Sequence, residues 1–162
     1  MQFKELYQLQ AKLDQEIHEL HKTSYQKTMK ERILAFIVEL GEFANETRCF
    51  KYWSLKGPSA KEVILEEYID GLHFILSLGL AINYDINSDF QALTSDLNLS
   101  EDILNTYQRA CEFKDNISFS NYKKTFETFL GVGSKLGFSE EDLKEAYYRK
   151  NDINHKRQKD HY

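Results

Sequence analysis

The chain has 162 residues, 41% of them hydrophobic and 14% aromatic, so a single domain with a substantial core is expected. Seven glycines and one proline are too few for the turns of an all-β fold and favour helices. A net charge of −5 excludes an overall basic surface for nucleic acid. The longest apolar run, GLHFILSLGLAI, is too short to cross a membrane. Two cysteines provide no disulfide framework and indicate a reduced, cytoplasmic protein.

Hydrophobic periodicity predicts three helices in the first half of the chain. Apolar residues recur at steps of three and four in residues 3–22, which is the period of an amphipathic helix. A second helix is predicted over 25–48 and is followed by CFKYWSLKGP, which contains the only tryptophan and the only proline. Ser59 with Glu62 three residues later predicts a capping box. It would open a third helix that continues to residue 83.

The second half is predicted to contain a long loop and three further helices. The polar stretch NYDINSDFQALTSDLNLS predicts a loop with at most one helical turn. Ser100 is expected to open a fourth helix to 113, and a fifth covers 120–136. Ser139, with Asp142 three residues later, caps a sixth helix that passes into a polar tail over 149–162. With no repeat or domain boundary, the chain is predicted to be one all-α bundle of five to six helices.

Two acidic pairs stand beside apolar residues on consecutive predicted helices. Glu39 and Glu42 flank the apolar stripe of the second helix, and Glu67 and Asp70 share one face of the third. The third helix is apolar around nearly its whole circumference, so it is expected to be central. Antiparallel packing of the two helices would bring the pairs together. Taken alone, the glutamates of the second helix could equally form a solvated helix edge.

Carboxylates that face each other in a central position are costly to bury and raise one another's pKa. A divalent cation removes both problems, and Mg²⁺ prefers carboxylate oxygens and takes substrate phosphates as further ligands. We therefore predict a Mg²⁺ site formed by Glu39, Glu42, Glu67 and Asp70. A ferritin-like di-iron site would need two E-x-x-H motifs. Asp70 and His73 imitate one such motif, and no second copy occurs in a buried helix.

Four segments resemble the dimeric, all-α dUTPases, which belong to the all-α nucleoside triphosphate pyrophosphatases together with MazG-like proteins. The segments are LYQLQAKLDQEI, ELGEFANETRCFKYWS, LEEYIDGLHFILSLGL and AYYRKNDINHKRQKDHY. The acidic pairs alone indicate only the superfamily, whereas the N-terminal glutamine, the FKYWS segment and the C-terminal pattern are more specific. Residues 84–140 carry little of the resemblance.

The resemblance implies a homodimer that hydrolyses dUTP to dUMP and pyrophosphate. Two or three Mg²⁺ ions, for which Mn²⁺ could substitute, would be held by the four carboxylates and clamp the phosphate chain. Glu39 or Glu42 would orient or deprotonate the attacking water, with Glu39 favoured.

The resemblance also implies substrate contacts spread along the chain. Gln10 suits the edge of uracil because an amide both donates and accepts, and His73 would lie by the deoxyribose or instead support Asp70. Asp14 could equally be an exposed helix charge, and Trp53 and Phe74 could belong to the core. The predicted substrate-binding residues are Gln10, Asp14, Lys51, Trp53, His73, Phe74, Lys150, Asn151, Asn154, Arg157 and Tyr162.

The predicted tail gathers cations and amides in an otherwise acidic protein. Such a segment could fold over a triphosphate and offset its charge, and Lys150 and Arg157 are the best candidates for phosphate contacts. The family has glycine followed by tyrosine where this chain has His161 and Tyr162. Histidine resists the turn that glycine allows, so this difference bears on closure of the tail.

Two other functions stay open from the sequence. A related pyrophosphatase acting on dCTP or a modified nucleotide would share the metal site and differ in the base pocket. A non-catalytic binding or regulatory protein would be expected to have lost part of the acidic set, and all four carboxylates are present. The aromatic residues of the fifth predicted helix could form core or a subunit interface; they are Phe119, Tyr122, Phe126 and Phe129.

Overall fold

The computed structural model describes residues 1–160, which form six α-helices and no extended strand. The predicted all-α bundle is therefore confirmed. Among these residues, none of the helices combines the length and apolar character that crossing a membrane requires. The helices are α1 (Lys4–His21), α2 (Met29–Thr47), α3 (Lys61–Ala81), α4 (Leu99–Asp115), α5 (Phe119–Lys135) and α6 (Glu140–Lys159).

Helix α3 is the centre of the bundle, as its apolar composition predicts. It packs against α1, α2, α5 and α6, so it is buried on almost every side. Tyr68, Leu72, Ile75 and Leu76 are all fully buried. The contact with α2 is the most extensive, and this contact brings the two acidic pairs of the sequence face to face.

The aromatic residues of α5 belong mainly to the core. Tyr122, Phe126 and Phe129 are at most 1% exposed, whereas Phe119 is 57% exposed. The ring of Phe129 stacks on that of Tyr68 at a centroid separation of 4.2 Å. The core interpretation is thus right for three of the four residues.

The start of α3 differs from the prediction. The N-cap is Ala60, which makes no side-chain capping bond, so the capping box expected from Ser59 and Glu62 is wrong. The Ser59 hydroxyl instead donates to Glu46 Oε2 at 2.5 Å, and the Ser59 amide donates to the Glu46 carbonyl at 3.0 Å. Ser59 therefore fastens the end of the 48–60 loop to α2, which holds α2 and α3 in register.

Two other helix starts show what decides an N-cap. The N-cap of helix α4 lies two residues before the predicted Ser100: it is Asn98, which forms a capping box with Glu101. Ser139 and Asp142 form the predicted capping box of α6. In each case the cap that forms has its partner three residues further on and no competing long-range partner.

The long loop between α3 and α4 is anchored rather than regular. Phe90 is fully buried, and its amide donates to the Met1 carbonyl at 3.0 Å. The Leu93 amide donates to the Glu127 carbonyl of α5 at 3.0 Å. A Cβ at Gly131 would clash with the Leu93 carbonyl, so glycine is required where the loop crosses α5.

Helix α6 is longer than expected, because the polar segment from Arg149 continues it to Lys159. Its first half buries Leu143, Ala146 and Tyr147, and the same face continues with the buried Lys150 and Asn151. Basic residues in its last turn also suit the negative end of the helix dipole. The expected tail is thus the second half of a helix as far as Lys159, lying over α1 and α3.

Candidate metal centre and nucleotide cavity

Three carboxylates meet where α2 packs on α3. Glu39, Glu67 and Asp70 each offer an oxygen, and these oxygens lie within 4.8 Å of one another. Residues three apart share a helix face, which is why the sequence placed Glu67 and Asp70 together. The helix packing adds Glu39 to them.

The electrostatics of this cluster indicate a shortage of positive charge. Burial, followed by the charges of Asp70, Glu42 and Glu67, raises the pKa of Glu39 to about 7. Burial also raises the pKa of Glu67, with contributions from Asp70 and Glu42. Glu42 therefore lies close enough to act on both residues, although it is outside the group of three whose oxygens converge.

A cation from α6 occupies the edge of the cluster. The Lys150 ammonium lies 2.7 Å from Asp70 Oδ2 and 3.1 Å from Glu66 Oε1, and the residue is only 8% exposed. Burial raises the pKa of Asp70 even though its bond to Lys150 acts in the opposite direction. The all-oxygen donor set fits a hard divalent cation, with which the Lys150 ammonium would compete for Asp70. The predicted phosphate contact of Lys150 is, in this structure, a contact with carboxylates.

A cavity of about 430 Å³ adjoins the cluster and is lined by α1, α2, α3 and α6. This volume lies within the usual range for small-molecule sites. Glu39 and Asp70 belong to both the cluster and the cavity wall. The predicted substrate residues that also line the cavity are Gln10, Asp14, His73, Phe74, Asn154 and Arg157.

Gln10 and His73 are joined on the wall of the cavity. Gln10 Oε1 accepts from the Tyr147 hydroxyl at 2.6 Å and lies 2.8 Å from His73 Nδ1. The His73 ring stacks on Tyr147 with centroids 4.1 Å apart. Burial lowers the pKa of His73 to about 3, so its ring is neutral. Its hydrogen bond goes to Gln10 and not to Asp70, which disfavours the supporting role for Asp70.

Asp14 is buried among donors, so the alternative of an exposed helix charge is wrong. It is 1% exposed. Its oxygens accept from Gln10 Nε2 at 3.0 Å, Ser77 Oγ at 2.6 Å, Tyr25 Oη at 3.0 Å and Arg32 Nη1 at 3.2 Å. Every acceptor site of this carboxylate is therefore used within the protein.

Sequence reasoning missed Arg32, Ser77 and Tyr147 as members of this network. A signal was present for two of them. Arg32 directly precedes the apolar stripe of α2 at Ile33, and Ser77 interrupts the apolar run of α3. A charged or hydroxyl residue at a core position requires a buried partner, and Asp14 is that partner. Tyr147 carried no signal beyond helical spacing.

Several predicted substrate residues lie elsewhere. Trp53 is 65% exposed, so it is neither core nor part of the cavity wall within this chain. The Lys51 ammonium donates a hydrogen bond to Asn45 Oδ1 at 2.5 Å. Asn151 is buried, does not line the cavity, and has no partner for Oδ1 within residues 1–160. Tyr162, like His161, lies outside the described residues. Phe74 is half-buried on the cavity wall, packed against the core.

A comparison with protein families agrees with this geometry. A family model described as dUTPase matches residues 2–162, including the 84–140 segment in which little resemblance is visible by motif. Among curated protein sequences, nothing gives a significant match. The chain therefore belongs to the dUTPase family, hydrolases of nucleotide metabolism that cleave dUTP and generally depend on a divalent metal.

Proposed function

We propose that the chain is a Mg²⁺-dependent dUTP diphosphatase that releases dUMP and pyrophosphate and works as a homodimer in the cytoplasm. The observation that carries this proposal is that Glu39 and Asp70 belong both to the acidic cluster and to the wall of the cavity. A triphosphate bound in that cavity would lie directly against the carboxylates. Two unpaired thiols, Cys49 and Cys111, support a reducing compartment.

Glu39, Glu67 and Asp70, with Glu42 beside them, are the residues that would hold the metal. Two or three Mg²⁺ ions, or Mn²⁺ in their place, would neutralise the phosphate chain and lower the pKa of the attacking water. The carboxylates would accept hydrogen bonds from that water, and the phosphates would be oriented by the cations that the carboxylates hold. The raised pKa values of Glu39 and Glu67 support this assignment, because added positive charge would favour their ionised forms.

Glu39 is the favoured residue for activating water. It is the member of the cluster on α2, and it also lines the cavity, so a water beside the metal would lie within reach of its carboxylate. It would accept a proton as the water oxygen attacks and the α–β phosphoanhydride bond breaks, so that pyrophosphate leaves. Glu42 is the alternative, because it lies near both Glu39 and Glu67.

The second half of α6 would supply the phosphate contacts. Lys150 would exchange its carboxylate partners for phosphate oxygens once a divalent cation neutralises the cluster. Arg157 lines the cavity, and its charge lowers the pKa of Asp70. Asn154 also lines the cavity, and Asn151 and Tyr162 complete the proposed set. Amide and guanidinium groups are suited to phosphate oxygens.

Base and sugar would occupy the opposite end of the cavity. Gln10 would contact uracil, His73 the deoxyribose, and Phe74 the face of either. Lys51 and Trp53 lie on the exposed 48–60 loop, so they would have to reach substrate by movement of the loop or from the partner subunit. Asp14 would act through Gln10, since all its oxygens are already engaged.

The first test is pyrophosphate release from a panel of deoxy- and ribonucleoside triphosphates, with Mg²⁺ and with EDTA. We expect Mg²⁺-dependent turnover of dUTP alone, and a loss of about 10²-fold or more in kcat/KM for Gln10→Ala, whose lost base contacts leave buried partners unsatisfied. Turnover confined to dCTP or a modified nucleotide would replace the uracil assignment. Binding of dUTP without turnover would favour the non-catalytic alternative.

The homodimer is supported by an exposed apolar strip along α2 and α4. Leu34 is 61% exposed, Val38 46% and Leu104 65%, and the two helices pack side by side. We expect light scattering to give about twice the 19.1 kDa of one chain. The double variant Leu34→Glu/Val38→Glu should be a folded monomer. A monomeric wild type, or a variant that stays dimeric, would contradict this assignment of the interface.

A further inference from the structure

A chain of buried hydrogen bonds links Arg32 through Asp14 and Gln10 to His73. Its donors and acceptors can be arranged in only one way. A guanidinium only donates and a carboxylate only accepts, so Arg32 and Asp14 have no choice of role in their 3.2 Å bond. Asp14 Oδ1 also lies 3.0 Å from Gln10 Nε2. The Gln10 amide must therefore present N–H to Asp14, which fixes its carbonyl on the opposite side.

The same constraint extends to His73. With Gln10 Oε1 as an acceptor, the Tyr147 hydroxyl and His73 Nδ1 must both be donors. A neutral imidazole carries one proton, so His73 Nε2 is left as a bare acceptor. That atom is fully buried and has no hydrogen-bond partner within residues 1–160, although the residue lines the cavity.

The reverse arrangement is excluded by burial. Turning the Gln10 amide would point its carbonyl at the Asp14 carboxylate, and these residues are 4% and 1% exposed. Without water to screen it, such a contact between two acceptors is strongly unfavourable. Arg32, which can only donate, pairs with the Asp14 carboxylate, so the polarity of the whole chain originates at this ion pair.

We propose that Arg32 and Asp14 are positioning residues that make the cavity present one N–H at Gln10 and one bare nitrogen at His73. This inference rests on the proposed function, because dUTP is taken as the ligand. The C4 carbonyl of uracil accepts the remaining N–H of Gln10, and the sugar 3′-hydroxyl donates to His73 Nε2. Cytosine carries an amino group at C4, so its N–H would face the N–H of Gln10, and two donors cannot form a hydrogen bond.

The chain of hydrogen bonds selects only some features of the substrate. Thymine has the same C4 carbonyl as uracil, so the Gln10 N–H can donate to both bases equally. Exclusion of dTTP must then come from the space around C5. The chain of hydrogen bonds therefore distinguishes uracil from cytosine and recognises the 3′-hydroxyl, and it selects no other feature of the substrate.

The test compares kcat/KM for dUTP and dCTP in wild type and in Asp14→Asn, whose amide can face Gln10 in either orientation. We expect the dUTP preference to fall by at least about tenfold, which is the scale of one buried hydrogen bond, through KM with kcat for dUTP retained. In the single variant the Arg32 guanidinium loses its charged partner. The double variant Asp14→Asn/Arg32→Gln removes that charge as well and should show the same fall in dUTP preference.

Asp102→Asn is the matched control. Asp102 is a similarly buried aspartate that pairs with Lys135 and lies away from the cavity. This variant loses an equivalent ion pair, so it reports the effect of destabilisation alone, and its nucleotide preference should equal that of wild type. A folded Asp14→Asn or double variant with wild-type preference would overturn the proposal.

A second readout needs neither turnover nor substrate. Long-range ¹H–¹⁵N correlation spectra of the histidine rings, assigned with a His73→Asn variant, should show the Nδ1–H tautomer of His73 in wild type. A mixture of tautomers is expected in the Asp14 variants. An Nε2–H tautomer in wild type would overturn the positioning role by itself. If instead the tautomer is as expected but wild type does not prefer dUTP, the proposed function has failed and not the hydrogen-bond chain.

Discussion

Glu39→Gln should lower dUTP turnover by about 10³-fold, a loss in the range expected for a general base. Glutamine keeps the shape of the side chain but cannot accept a proton and is a weaker ligand for a hard cation. The position is sensitive because Glu39 is shared by the carboxylate cluster and the cavity. Steady-state rates at saturating Mg²⁺ are the measurement, and Glu145→Gln on the exposed face of α6 is the matched control.

The same substitution should stabilise the metal-free protein at alkaline pH. Burial and neighbouring carboxylates raise the pKa of Glu39 to about 7 from 4.5, so the folded state binds its proton more tightly than the unfolded state does. Stability therefore falls as pH rises from 4.5 to about 7. Glutamine removes that cost, which is on the order of 1 kcal/mol after discounting for solvent screening.

Thermal unfolding in EDTA distinguishes this effect. At pH 8 the Glu39→Gln variant should melt roughly 3 °C above wild type, and at pH 4 the two should coincide. Saturating Mg²⁺ should raise the melting temperature of wild type more than that of the variant, since binding to the folded state stabilises it. A variant that is inactive and also less stable than wild type at pH 8 in EDTA would point to misfolding and not to loss of a ligand.

Lys150→Met should have opposite effects on metal binding and on turnover. The ammonium sits 2.7 Å from Asp70 Oδ2, so it competes with a divalent cation for the same charge, and removing it should tighten Mn²⁺ binding in the absence of substrate. Turnover should fall by about 10²-fold, because the variant has lost a charged contact to the phosphates of the transition state. Methionine keeps most of the apolar volume of the side chain.

Mn²⁺ binding followed by electron paramagnetic resonance gives the first quantity, and pyrophosphate release gives the second. Lys144→Met is the matched control, since Lys144 is a lysine of the same helix whose partner is the surface residue Glu140. Weaker Mn²⁺ binding in Lys150→Met would show that Lys150 supports the site instead of competing for it. Unchanged turnover would remove Lys150 from the phosphate contacts.

The sequence by itself determined the helices and the acidic pairs. Both depend on interactions between residues three or four apart, which a helix fixes without reference to the rest of the chain. The apolar residues around nearly the whole circumference of α3 also predicted its central position, and antiparallel packing with α2 predicted the meeting of Glu39 with Asp70. The cap of α6 at Ser139 was predictable for the same reason, since its partner Asp142 is local.

Only the tertiary structure decided which groups partner these residues. Lys150 lies 84 positions from Glu66, and Tyr147 lies 137 positions from Gln10, so no local spacing indicates either contact. Ser59 does not cap α3 because its hydroxyl donates a hydrogen bond to Glu46 on α2. The roles of Asp14 and Arg32 arise likewise where α1, α2 and α3 come together. A buried polar group takes its partner from whichever element packs against it, and packing is a property of the whole chain.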